Sequence, residues 1–274
     1  MPDSGPGPTG PTGATPRPVP GLPARAFTMD AKRRRELARA FKAGGAHYDA
    51  VRPSYPDAAL DFMVPPAARD AVDVGAGTGI FTAQLLGRGL KVGAVEPSED
   101  MLAVLRERLP EVDAVPGTGE ETGLDESSAD VITYAQAWHW VDPKAASAEA
   151  SRLLRPNGQL ALVWNQLDVS VPWVHRLARI MHAGDVHRPD FVPPLGPEFH
   201  APESGAWTWE QALTPEQVIA LAKSRSYYLR AGAATRARVE HNLTWYLFDH
   251  LGHVSGVPFG LPYLTHAWRA RLRA

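Results

Sequence analysis

The chain contains no cysteine. That absence excludes a disulfide framework, a cysteine-bearing zinc site, an iron–sulfur cluster and a thiol nucleophile. No stretch approaches about 18 consecutive apolar residues, so no membrane-spanning helix is expected. Neither charge is in excess: 28 Lys plus Arg stand against 30 Asp plus Glu, a formal net charge of −2. A chain so balanced lacks the electrostatic footprint of a protein that grips duplex nucleic acid through many phosphates, and no nucleic-acid partner is expected. A signal peptide would need a positive end followed by an apolar run. Met1-Pro2-Asp3-Ser4 and the Gly/Pro/Thr residues after it supply neither, so a cytoplasmic location is expected.

What is present suits one sizeable globular unit. The 274 residues are 44% hydrophobic and 21% charged, ordinary values for a packed domain. Proline is unevenly spread: residues 1–23 hold eight of the 26, with five glycines. Such a stretch cannot bury enough apolar surface to offset the entropy of ordering it. Residues 1–26 are therefore expected to be a disordered tail, and 27–274 the folded domain. Lys32, Arg33, Arg34 and Arg35 follow Asp30, a plausible helix N-cap. They read either as a patch for an acidic partner or as the solvated face of a first helix whose other face carries Leu37 and Phe41.

From residue 70 strands and helices alternate. Ala71–Val74 reads as a strand broken by Gly75-Ala76-Gly77-Thr78-Gly79, after which Ile80, Phe81 and Leu85 share a helix face. Val92–Val95 is a second strand, and Ser98 with Glu99 and Asp100 can open the next helix. Val112–Val115 and Val131–Ala135 follow. Asp142-Pro143 starts another helix, Arg155-Pro156-Asn157-Gly158 stops it, and Gln159–Trp164 is a fifth strand. Connections of this length require parallel crossovers, hence a doubly wound α/β sheet with ligands at the carboxyl ends of its strands.

The glycine run sits where that ligand should be. A dinucleotide fingerprint needs a third glycine where Ile80 stands, and a phosphate-cradling P-loop needs a lysine that is missing. Asp73, two residues before Gly75, would repel a pyrophosphate and attract a cation, such as the amino group and sulfonium of S-adenosylmethionine. Glu96, at the second strand's end, suits a ribose diol or, more simply, a helix start.

Taken together, VDVGAGTG at 72–79, Glu96 and GTGEE at 117–121 resemble class I S-adenosylmethionine-dependent methyltransferases. YDAVRPSYP at 48–56, AQAWHWVDP at 135–143 and RLLRPNGQLALVWN at 152–165 resemble the small-molecule branch similar to trans-aconitate methyltransferase and the quinone-biosynthesis C-methyltransferases. The likeness is specific over roughly 41–166 and faint over 214–228 and 261–273. It implies a Rossmann-like seven-stranded sheet with the last strand antiparallel, a strand over Ala206–Ala212, a helix over Pro215–Ser224 and the last strand over Leu261–Arg269. Residues 167–274 would supply the substrate pocket.

The resemblance also implies roles. Asp73, Gly75, Gly77 and Gly79 would contact the methionine side of S-adenosylmethionine, and Glu96 its ribose. Thr118, Gly119 and Glu120 would hold the adenine, with Glu120 meeting the exocyclic amine in place of the Asp often found at Thr118. Gln136 would floor the site, and S-adenosylhomocysteine would be the product. Asn157 replaces a usual glycine, which asparagine's tolerance of left-handed backbone can absorb.

On the acceptor side, His139 lies between Trp138 and Trp140 and reads as a base or substrate-orienting donor, or as a packed structural histidine. Tyr48 and Arg52 could form a cofactor-binding lid whose tyrosine covers the sulfonium and whose guanidinium meets a carboxylate, or belong to a packed helix with Arg52 solvated. His175, His182, His187, His250 and His253 form no compact ligand set, so no metal is expected. Tyr134-Ala135-Gln136-Ala137 replaces the Asn/Asp-Pro-Pro-Tyr/Phe of amino-methylating nucleic-acid enzymes, which favours a small-molecule acceptor. A binding protein of the same fold that transfers no methyl (a regulator, scaffold or cyclase) remains the alternative.

Overall fold

The computed structural model describes residues 51–183 and 190–273. The tail at 1–26, the cationic segment Lys32–Arg35, Tyr48 and His187 lie outside the described residues. In chain order come α1 (Asp57–Met63), β1 (Asp70–Val74), α2 (Ile80–Gly87), β2 (Lys91–Val95), α3 (Glu99–Arg108), β3 (Asp113–Val115), β4 (Ala129–Ala135), α4 (Pro143–Leu153) and β5 (Leu154–Leu167). Then follow α5 (Pro172–Ile180), β6 (Glu203–Leu213), α6 (Pro215–Lys223), α7 (Ser226–Arg230), α8 (Ala233–Thr244) and β7 (Phe259–Arg271). The sheet has seven strands in the order β3-β2-β1-β4-β5-β7-β6. The first five are parallel, and β7 runs antiparallel to both neighbours. This is a Rossmann-like mixed sheet with one antiparallel strand between β5 and β6. Strand order reverses between β1 and β4, so a crevice opens above their carboxyl ends.

Burial on both faces explains the apolar run Leu160–Trp164 in β5 and the burial of Ala71–Val74 in β1. Strand alternation sends Val72 and Val74 to the face covered by Ala146, Ala150 and Leu153 of α4. Ala71 goes to the opposite face, against Leu60 and Met63 of α1 and Phe81 and Leu85 of α2. A third apolar cluster joins the distal ends of β5–β7 to α5, α6 and α8 through Leu167, Leu177, Val218, Leu243 and Tyr263.

Local signals account for several boundaries. Asp142 caps α4 by accepting from the Lys144 and Ala145 N–H groups, each at 3.0 Å, with Pro143 in the first turn. Thr214 and Gln217 form a reciprocal capping box on α6. Three expectations need correction. Ser98 occupies the N-cap position of α3 but makes no side-chain cap; its N–H is held by Glu96 instead. The Arg155–Gly158 turn lies inside β5, whose first residue directly follows α4, and Asn157 there is left-handed at φ +67°. The last three strands extend beyond their apolar cores, because antiparallel pairing continues along β6 and β7 regardless of side-chain polarity.

Candidate active site

The loop after β1 is shaped by backbone constraints. Gly75, Gly77 and Gly79 have φ of +70°, +58° and +87°. The Gly75 and Ala76 N–H groups both donate to the Val95 carbonyl, at 2.8 and 3.1 Å, which ties the loop to the end of β2. At Gly75 a Cβ would stand 2.6 Å from the Ala137 Cβ, so glycine is needed for space as well as conformation.

Glu96 locks the other side of this loop. One carboxylate oxygen accepts from the Gly77 N–H and the other from the Ser98 N–H, both at 2.8 Å. The side chain is buried, and burial raises its pKa despite those two backbone donors. Each oxygen retains a lone pair, so Glu96 can organise the loop and still accept from a ligand diol.

Asp73, expected on the methionine side, is fully buried behind the loop and is not part of the cleft wall. Its oxygens accept from the hydroxyls of Thr82 at 2.7 Å and Thr133 at 3.0 Å. Burial pushes its pKa up to about 6, with nearby Glu96 adding to the rise and the two hydroxyls opposing it. The physical reason is strand alternation: Asp73 points to the α2 face, where Thr82 waits.

The cleft encloses about 780 Å³, within the usual range for small-ligand sites. It brings together Arg52, Gly75, Gly77, Glu96, Thr118, Gly119, Glu120 and Gln136 from the expected set. Glu96, Glu99, Asp100, Glu120 and Asp142 line it against the single guanidinium of Arg52, counted among the described residues. At the end of the cleft formed by residues 118–120, Tyr134 is buried, its hydroxyl donates to the Gly119 carbonyl at 3.2 Å, and a Cβ on Gly119 would stand 2.6 Å from Val141. One Glu120 oxygen is committed to the Asp142 N–H at 2.7 Å.

Sequence reasoning missed several wall residues: Tyr55, Phe81, Met101, Trp140 and Asn165. Tyr55 meets Phe81 edge-on at 5.0 Å and is clasped by Gln84, which donates to the Tyr55 carbonyl and accepts from its N–H. Asn165 is held by a buried relay. The Trp209 indole N–H donates to Thr265 Oγ1 at 2.8 Å, and the Thr265 hydroxyl donates to Asn165 Oδ1 at 2.5 Å. Asn165 Nδ2 then donates to the Ser54 carbonyl at 2.9 Å, while Gln136 Nε2 donates to the Asn165 carbonyl at 2.7 Å. The segment carrying Arg52, Pro53 and Tyr55 is thereby strapped to the sheet. Arg52 itself donates to the Ser224 carbonyl at 2.9 Å. Tyr48, its expected companion, lies outside the described residues.

His139 is not brought to the cleft. It is exposed, its Nδ1 accepts from the Trp164 indole N–H at 3.2 Å, and its ring rests on Trp140. The short turn Trp138–Trp140 presents Trp140 to the cleft instead.

Residues 72–162 match the family model described as a methyltransferase domain. An uncharacterized methyltransferase of Mycobacterium bovis is 41% identical over 240 residues, covering 87% of this chain and 98% of the relative. An uncharacterized methyltransferase-like protein of Schizosaccharomyces pombe is 32% identical over 217 residues, or 75% and 84% of the two chains. The solved structure of a putative type II methyltransferase from Anaeromyxobacter dehalogenans superposes with a TM-score of 0.62 at 26% identity, covering 80% of this chain and 97% of that one.

Proposed function

We propose that this chain, which belongs to the methyltransferase family, transfers the methyl group of S-adenosylmethionine to a small molecule held in front of the Gly75–Gly79 loop. The observation carrying this reading is the charge of the cleft wall, where five carboxylates face one guanidinium. Such a wall repels a pyrophosphate and favours a donor bearing an ammonium and a sulfonium. The positive-φ glycines fit the same ligand, since they leave backbone rather than side chains at the closest approach.

S-adenosylmethionine supplies an activated methyl carbon when bound. The chain's own residues bind and orient. Glu96 accepts from the ribose hydroxyls with the lone pairs left by Gly77 and Ser98. Gly119, packed on Tyr134 and Val141, gives a flat apolar edge for the purine. Asp73 acts at one remove: its hydroxyl-held charge lies behind the loop and adds a favourable field for a cation. Tyr55, Phe81 and Trp140 exclude water from the reacting line, and Gln136 and Asn165 set the floor. Alignment alone can contribute up to about 7–11 kcal/mol to such a displacement, so the acceptor chemistry need not involve His139.

Incubation with methyl-labelled S-adenosylmethionine and a fractionated metabolite extract tests the reading. Label in a small-molecule fraction is the expected result. Binding of S-adenosylmethionine without transfer to any fraction would favour a non-transferring protein of the same fold. NADH binding more tightly than S-adenosylmethionine in calorimetry would overturn the cofactor assignment.

A further inference from the structure

A second concavity of about 470 Å³ lies between α5 and α8, and it shares no lining residue with the cleft. Val174, Leu177 and Ala178 of α5 and Val239 and Leu243 of α8 belong to one apolar cluster, so the two walls are fixed relative to each other. The rim is cationic. Arg176, Arg179 and His175 come from α5, His182 from just beyond it, and Arg238 and Asn242 from α8. Among the described residues no carboxylate lines this groove, although acids outnumber bases in the chain as a whole.

The three arginines also differ from several others in the fold, which are held by carboxylates or backbone carbonyls. Arg152 pairs with Glu149, and Arg155 with Asp70 and Asp130. Among the described residues no ion pair is formed by Arg176, Arg179 or Arg238. Arg176 is instead held over the rings of Trp245 and Tyr246, at 5.4 and 5.2 Å, which fixes its guanidinium at the rim. His182 is stacked on Tyr227 at 4.0 Å and feels the Arg238 charge. Like charges drawn around one concavity repel each other, and an anion with several oxygens relieves that repulsion while accepting from the guanidinium forks.

We propose that this groove is a second binding site, for a small ligand bearing phosphate groups. Its volume suits a small molecule rather than an extended polymer. Arg179 and Arg238 supply the hydrogen-bonding forks from opposite walls, Arg176 is the anchored charge, and Asn242 is an additional polar donor.

Inorganic tripolyphosphate is the probe, titrated calorimetrically into the full chain at low salt, beside R179Q, R238Q and the double variant. Both arginines are exposed, so these changes leave the core intact. The parent should bind the probe with one-site stoichiometry, and the double variant should bind roughly 10- to 100-fold more weakly. S-adenosylmethionine affinity should be unchanged in all three variants, which separates this site from the cleft. No binding by the parent overturns the proposal. So does equal binding by the double variant, which would place the anion elsewhere. Binding of a polyglutamate peptide in preference to tripolyphosphate would also overturn it, pointing to an acidic protein partner.

Discussion

Replacing Glu96 tests both the loop geometry and the ligand assignment. The side chain accepts from the Gly77 and Ser98 N–H groups and is buried. Glu96→Ala removes both acceptors, and hydrogen bonds to a charged group contribute about 1.5–3 kcal/mol each. Two effects reduce that loss. The charged carboxylate already carries a burial penalty, visible in its raised pKa, and water at the cleft mouth can reach the freed amides. The ligand-free protein should therefore lose about 1–3 kcal/mol, or roughly 2–10 °C in melting temperature for a domain of this size. Loss of the ribose contact should weaken S-adenosylmethionine by roughly 10- to 150-fold. Glu96→Gln retains one acceptor oxygen but turns an NH2 toward one of the two backbone N–H groups, so it should recover only part of either loss. The assay is calorimetric titration of S-adenosylmethionine at a temperature where both variants are folded, with ligand-free melting curves alongside. A folded Glu96→Ala protein that binds S-adenosylmethionine within twofold of the parent would refute the ribose assignment. An unchanged melting temperature would refute the loop-locking role.

Gly75 and Gly123 have nearly the same φ, +70° and +74°, but a Cβ on Gly123 meets nothing within 4 Å. Gly123→Ala should cost only the left-handed strain of about 1–2 kcal/mol, whereas Gly75→Ala should cost several more by pushing on Ala137 and should abolish S-adenosylmethionine binding; equal melting temperatures would sink the steric argument. Asp73, at about 6 folded against its ordinary 3.8, binds its proton more tightly in the native state. Its contribution to stability should be fully present below pH 3.8 and fall by about 3 kcal/mol as pH rises through 6. The difference between parent and Asp73→Asn in denaturant titrations across that window should show this slope, and parallel curves would contradict it. A bound cation favours ionised Asp73, so S-adenosylmethionine affinity should rise from pH 5 to pH 7 in the parent; an affinity flat across that range would count against it. Asn165→Ala breaks the Trp209–Thr265–Asn165–Ser54 relay and leaves the buried Thr265 hydroxyl without its acceptor. It should cost about 1–3 kcal/mol and speed amide exchange at Tyr55; exchange as slow as the parent's would show that Gln84 alone holds the segment.

Much of the architecture is written in short-range signals. Apolar runs of strand length alternate with helical spacing, Asp142-Pro143 and Thr214-Pro215 announce helix starts, and the glycine run marks the strand end where a ligand belongs. These are properties of a few neighbouring residues and their backbone preferences, so they are legible without the fold. Gly75, Gly77 and Glu96 could be placed at the cleft for the same reason, since each follows a strand whose end must face it, whereas the 118–120 segment was placed there by the family resemblance. What the tertiary structure alone decided is the direction of side chains and the contacts across long separations. Asp73 and Glu96 both stand near strand ends, but the one, inside its strand, alternates onto the α2 face and meets Thr82, while the other follows its strand and turns into the loop. His139 and Trp140 are neighbours in sequence, yet a single short turn sends the tryptophan to the cleft and leaves the histidine outside. Asn165 reaches Thr265 across 100 residues because β5 and β7 run antiparallel side by side. No local pattern carries that pairing, since it exists only once the sheet has closed and buried polar groups must find partners among whatever strands lie beside them.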